Sequence, residues 1–241
     1  MIKFFRKIRQ NLLSEGKTGK YLKYAIGEII LVVIGILIAL SINNWNENRK
    51  ERYAEIEILK ELKENLNQDI VNLETRISEN TEYITANKKV LSHLEKRTML
   101  TDSLKRQYAL LGAFSTFRPI TAGYVNLKSK GVDIIQNKEL RNAITTLYDY
   151  QYFYFVEDVI YAIDNFRNNK ASYIGKRVHF EENVRHFSSR PISLESLYND
   201  EVFKGYLKSS IVLQNWMNRR RSDGILQIEE VIQRIKDELE K

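Results

Sequence analysis

The chain has 241 residues, with ten glycines, two prolines and no cysteine. That composition favours long helices and excludes disulfides, thiolate metal sites and cysteine nucleophiles. The formal charge of +7 is local: residues 1–23 hold seven basic groups against Glu15, residues 24–45 only Glu28, and the other 196 residues 31 basic and 29 acidic groups. So balanced a remainder offers no polyanion footprint, and no nucleic-acid partner is expected.

In the tail, Lys3, Arg6, Lys7 and Arg9 fall between Ile2, Phe5, Ile8 and Leu12. The spacing fits a short basic amphipathic helix on anionic lipid, and a plain topology signal explains the same charges. From Ala25 to Ile42 the chain reads AIGEIILVVIGILIALSI, eighteen residues with one charge. As a helix this crosses ~27 Å, close to a hydrocarbon core of ~30 Å. An isolated strand could not satisfy its backbone in lipid, so a transmembrane helix is predicted. Tyr21, Tyr24, Lys20 and Lys23 before it and Trp45 after it are the expected interface residues. Ala39-Leu40-Ser41 also fits a small-x-small cleavage site loosely, so a signal peptide is the rival reading. The basic flank puts the N-terminus in the cytoplasm and residues from about Asn43 on the far side.

Within the span, Glu28 lies about one turn inside the membrane, near enough to the cytoplasmic end to snorkel or meet Tyr24 or Lys20. Gly27, Gly35 and Ala39 share a ridge, a small-residue face that would let a second helix approach.

Beyond Trp45 a heptad begins. With Ile56 at position a, the a sites are Ile56, Lys63, Ile70, Ile77, Ile84 and Leu91, and the d sites Leu59, Leu66, Leu73, Asn80, Asn87 and Leu94. Nine of the twelve are aliphatic, which marks a bundle or coiled-coil helix. Asn80 and Asn87 either fix register from inside or sit in solvent at a loose seam. No Gly or Pro separates Gly35 from Gly112, so one helix is predicted to run from the span into this heptad. Shorter helices are predicted at Asp102–Leu111, from Thr121 or Ala122 to Gly131, and from an Asn137 cap to about Asn168. A bend or loop follows at Gly175 and Ser188–Pro191. Phe203, Tyr206, Ser210, Leu213, Met217, Arg221, Gly224, Ile228, Val231, Ile235 and Leu239 step by three or four, the pattern of a second long helix with a candidate break at Ser222–Gly224.

The expected fold is all-α: an N-terminal transmembrane helix continuing into an elongated antiparallel bundle with long first and last helices. Its parts are a tail at 1–23, a span at 24–45 and an extracytoplasmic helical domain at 46–241.

Tyr148–Phe155, YDYQYFYF, has six aromatic residues in eight. On a helix these rings point all round, so Tyr150, Tyr152 and Tyr154 are candidate ligand or partner contacts, against a core packed on several sides. His179, Glu182 and His186 have a spacing that a metal could use, but charged helices produce such spacings routinely. No hydrolase, nucleotide-binding or metalloprotease motif is present, so no cofactor or metal is expected.

The opening MIKFFRKIRQNLLSEGKTGKYLKYAIGEIILVVIGILIALSINNWNE resembles an uncharacterised single-pass membrane family of Bacteroidota, with its basic tail, AIGE-initiated span and INNWNE exit. YVNLKSKGVDIIQNKELRNAITTLYDY is similar to that family's second recurrent block, a helix-Gly-turn-helix. The resemblance implies a bacterial inner membrane and a periplasmic domain, and it carries no activity or cofactor. The expected function is a non-enzymatic interaction or scaffolding module that binds a protein partner or itself. The alternative is a ligand-sensing bundle signalling through a separate membrane partner. An enzyme with an unrecognised site is the third.

Overall fold

A computed structural model describes residues 18–180 and 188–241. The chain divides into two units, Met1–Glu55 and Ile56–Lys241. The elements in order are α1 (Thr18–Lys96), α2 (Asp102–Ala109), α3 (Ala122–Lys130), α4 (Lys138–Thr146), α5 (Asp158–Gly175), β1 (Val178–Phe180), β2 (Ser189–Pro191), α6 (Leu194–Tyr198) and α7 (Glu201–Leu239). The fold is all-α with long first and last helices; two three-residue strands, paired antiparallel with His179 opposite Arg190, are the addition the sequence did not reveal.

In the first unit, the apolar side chains from Ile26 through Ile42 are all exposed. Among the described residues α1 is the one helix long and apolar enough to cross a membrane. A soluble core helix of this composition would be buried, which leaves a membrane span or a signal sequence. The amphipathic tail predicted at Ile2–Leu12 lies outside the described residues.

In the second unit, α1 and α7 are antiparallel. Leu94 shares a cluster with Phe203 and Leu207, Asn80 donates to Gln214 O and Asn218 Oδ1 at 2.8 Å, and Leu59 and Leu62 share a cluster with Ile232 and Ile235. Every predicted d residue of α1 is buried, including Asn80 and Asn87. The a residues other than Ile84 are only half-buried, whereas Leu62, Asp69 and Val90, at g positions, are fully covered. The buried stripe is therefore d/g rather than a/d. A two-stranded seam needs only a and d, but here α1 carries several elements and buries a broader, rotated face. All eleven residues predicted to face inward on α7 are buried or half-buried. No break occurs at Ser222–Gly224: α7 is helical throughout, and Gly224 serves packing, because a Cβ there would meet the Phe155 ring at 2.8 Å.

A non-helical segment threads between the long helices and is tied to both by polar contacts. Ser115 donates to Arg76 O at 3.0 Å, Ile120 N to Asp69 at 3.0 Å and Gly123 N to Asn65 at 3.0 Å, descending α1 as the segment advances. From α7, Gln214 reaches Ala113 O at 3.2 Å and Arg221 reaches Ser115 through its oxygen atoms. The contacts at Ala113 O, Ser115 O, Ile120 N and Gly123 N satisfy backbone groups that no helix or strand pairs. Gly131, at φ +95°, ends α3 and admits a turn that L residues rarely adopt. Asn137 then caps α4 by accepting from Leu140 N at 3.1 Å, as predicted.

Candidate interaction surface

Between α4 and α5 the helix widens into two π turns, Leu147–Gln151 and Phe153–Glu157, which contain most of the aromatic run. Wide turns of this kind are rare and cluster at functional sites. They sort the rings into two populations.

The inward population builds a polar-aromatic hub. Tyr152, 5 % exposed, donates to Asp69 Oδ2 at 2.6 Å, and Phe155 packs on Gly224. Tyr148 stacks on Tyr124 at 4.4 Å between ring centroids, and Tyr124 donates to Asp149 at 2.5 Å. Burial lifts the Asp69 carboxyl to about 6 against the lowering effect of hydrogen bonds from Tyr152 and Ile120. Burial also raises the Tyr152 and Tyr148 phenols well above their ordinary range.

Nearby, Arg221 is wholly buried, and among the described residues no carboxylate pairs with it; it donates instead to Arg76 O, Ser115 Oγ and Ser115 O. Burial lowers its guanidinium to about 10, so it stays charged at neutral pH. The Arg219-Arg220-Arg221 run thus divides: Arg219 is exposed, Arg220 half-buried and Arg221 a clamp on the threaded segment.

The outward population consists of Tyr150, Phe153 and Tyr154, with Tyr161 about two turns further on. The Tyr150 and Tyr154 hydroxyls are 2.9 Å apart. The Arg220 guanidinium lies over the Tyr154 ring at 6.0 Å and over the Trp216 ring at 5.5 Å. Trp216 in turn lines an apolar trough of about 680 Å³ along the α5–α7 seam. Tyrosine, arginine, tryptophan and trough form one continuous surface, of the composition found at binding hot spots.

Of the predicted contacts, then, Tyr150 and Tyr154 face out and Tyr152 faces the core. Sequence reasoning missed Trp216 and Arg220 as their neighbours, because only the tertiary fold brings α7 beside α5; Asp69 carried no signal beyond being a charge in an apolar stripe. In the first unit Trp45 is 63 % exposed with Arg49 over its ring at 5.2 Å, and Lys23 is exposed. The side chains of Lys20, Tyr21 and Tyr24 lie outside what is described. A Cβ at Gly27 or Gly35 would meet nothing within 4 Å, and Ala39 is exposed, so this face is open in the single chain. His179 is exposed on β1, while Glu182 and His186 lie outside the described residues. Among the described residues no group of three His, Asp or Glu is placed to hold a metal.

The model of a family of unknown function, DUF6090, matches residues 28–198. The chain belongs to that family. The match begins at Glu28 inside the apolar segment, takes in the threaded segment and both π turns, and ends before α7, so DUF6090 covers one wall of the trough and not the other. No curated protein and no solved structure matches the chain.

Proposed function

We propose that the protein is a single-pass bacterial inner-membrane component whose residues 46–241 form a periplasmic, non-enzymatic interaction module. Residues 1–23 form its cytoplasmic tail and residues 24–45 its span. The observation that carries the reading is the open aromatic and cationic surface from Tyr150 through Arg220 to the trough. Tyrosine, tryptophan and arginine are the side chains enriched at contact hot spots. The charge asymmetry about the apolar segment supports the orientation, and the resemblance to Bacteroidota sequences supports the compartment.

Site-directed photocrosslinking in membranes of the producing cells tests this. A benzophenone amino acid at Tyr150 or Val212 is expected to trap a discrete adduct, while one at Val71, exposed on α1, traps none. Adducts equally abundant at all three positions, or absent from all, would sink the proposal. The rival sensing reading draws on the trough's size, which falls within the 300–1,000 Å³ range of small-molecule sites. It predicts a saturable small-molecule ligand lost on Tyr154→Ala.

A further inference from the structure

α5 and α7 run antiparallel, Asp158 lying beside Arg220 and Phe166 beside Tyr206. One side of their seam is uncovered. Ala162 and Phe166 form its α5 wall, and Ser209, Val212, Leu213 and Trp216 its α7 wall. Val212 is 69 % exposed at the lip. A valley between two helices is the shape a third helix fills, through apolar residues spaced i, i+3, i+4 and i+7.

Charge identifies the occupant further. Arg220 spends its guanidinium faces on Tyr154 and Trp216, and its ionic neighbour Asp158 is 3.9 Å away, beyond hydrogen-bonding distance. Among the described residues nothing hydrogen-bonds to its N–H edge, the edge that pairs with a carboxylate in a fork. Arg220 sits just past the Trp216 end of the trough, and Lys208, ~18 Å from it along α7, lines the opposite end, tied to Glu95 at 3.6 Å. Because Lys208 lies at one end of the α7 wall and Arg220 just past the other, a second copy laying its own α7 there in either direction would bring cation against cation.

We propose that this trough receives an amphipathic helix of a second protein, whose apolar stripe lies between α5 and α7 and whose carboxylate pairs edge-on with Arg220. The inference rests on the interaction reading and names the class of partner.

The test reads the partner's chemistry directly. Benzophenone at Val212 is photolysed in membranes of the producing cells, and the crosslinked peptide is sequenced by mass spectrometry. The expected segment belongs to another protein, is helix-forming with the apolar spacing above, and carries Asp or Glu. Arg220→Glu is expected to lower adduct yield at least fivefold. Changing the partner's acidic residue to Lys should restore the yield in the Arg220→Glu background, a rescue that a misfolded chain could not show. A crosslink to this chain's own sequence, to an acyl chain or to a basic or extended segment overturns the proposal, as does a yield indifferent to Arg220→Glu. If Tyr150 yields an adduct and Val212 none, the interaction reading stands and this inference falls. If neither does, both fall.

Discussion

At Asp69 burial opposes hydrogen bonding, and burial is the larger effect. The carboxyl accepts from Ile120 N and from the Tyr152 hydroxyl, yet is lifted from 3.8 to about 6. The folded state therefore binds this proton more tightly than the unfolded chain, so stability from this group is present below about pH 4 and lost as pH rises toward 6. The expected loss is about 3 kcal/mol across that window. Asp102, Asp200 and Glu201, whose partners lower them, act in the opposite sense, so the comparison must be with a variant. Asp69→Asn should abolish this component. The measurement is denaturant unfolding at pH 4 and pH 7 of the full chain in nanodiscs, followed by Trp216 emission in a Trp45→Phe background. Equal pH dependence in the two proteins would count against a buried, proton-holding carboxyl. Arg221 shows the same residue-scale logic differently solved: a buried charge held by carbonyl and hydroxyl oxygens, with its cost offset by ordering the segment it grips.

Elements dock here by polar pins as much as by apolar area. α3 meets α1 where Gly123 N donates to Asn65 and where a Cβ on Gly123 would lie 3.3 Å from Leu62 N. Asn65→Ala leaves that amide without its acceptor and is expected to cost roughly 1–3 kcal/mol. Hydrogen exchange should show the effect confined to Ala122–Lys130, with α7 amides unchanged; a uniform loss of protection would mean that α3 does not dock as a separate piece. Helix existence was legible in the residues: the eleven-residue stripe of α7, the Asn137 cap and the Gly131 stop all follow from local spacing and backbone chemistry. The face of α1 was not. Its heptad predicted an a/d seam, and the d/g stripe arises because the threaded segment and the Asp69–Tyr152 bond cover the g side, where Asp69 and Arg76 interrupt the apolar residues. Nor were the π turns legible, since a helix widens when its rings must meet neighbours from several directions, which local propensity does not encode.

For the whole molecule, the proposed topology makes a direct prediction. A periplasm-dependent reporter fused after Lys241 should be active and a cytoplasm-dependent one silent. The chain should stay in the membrane fraction after carbonate extraction and retain residues 1–42 by intact mass. A shorter soluble product would establish the signal-sequence reading instead. The sequence by itself determined the apolar segment, its charge asymmetry, the all-helical character and the inward stripe of α7, because these rest on hydrophobic periodicity and local charge. Only the tertiary structure decided which rings of Tyr148–Phe155 are buried, that Asn80 and Asn87 face inward, and that Arg220 and Trp216 join Tyr154 beside an open trough. Those outcomes depend on residues tens to more than a hundred positions apart, and such contacts are chosen by packing, which no local pattern records.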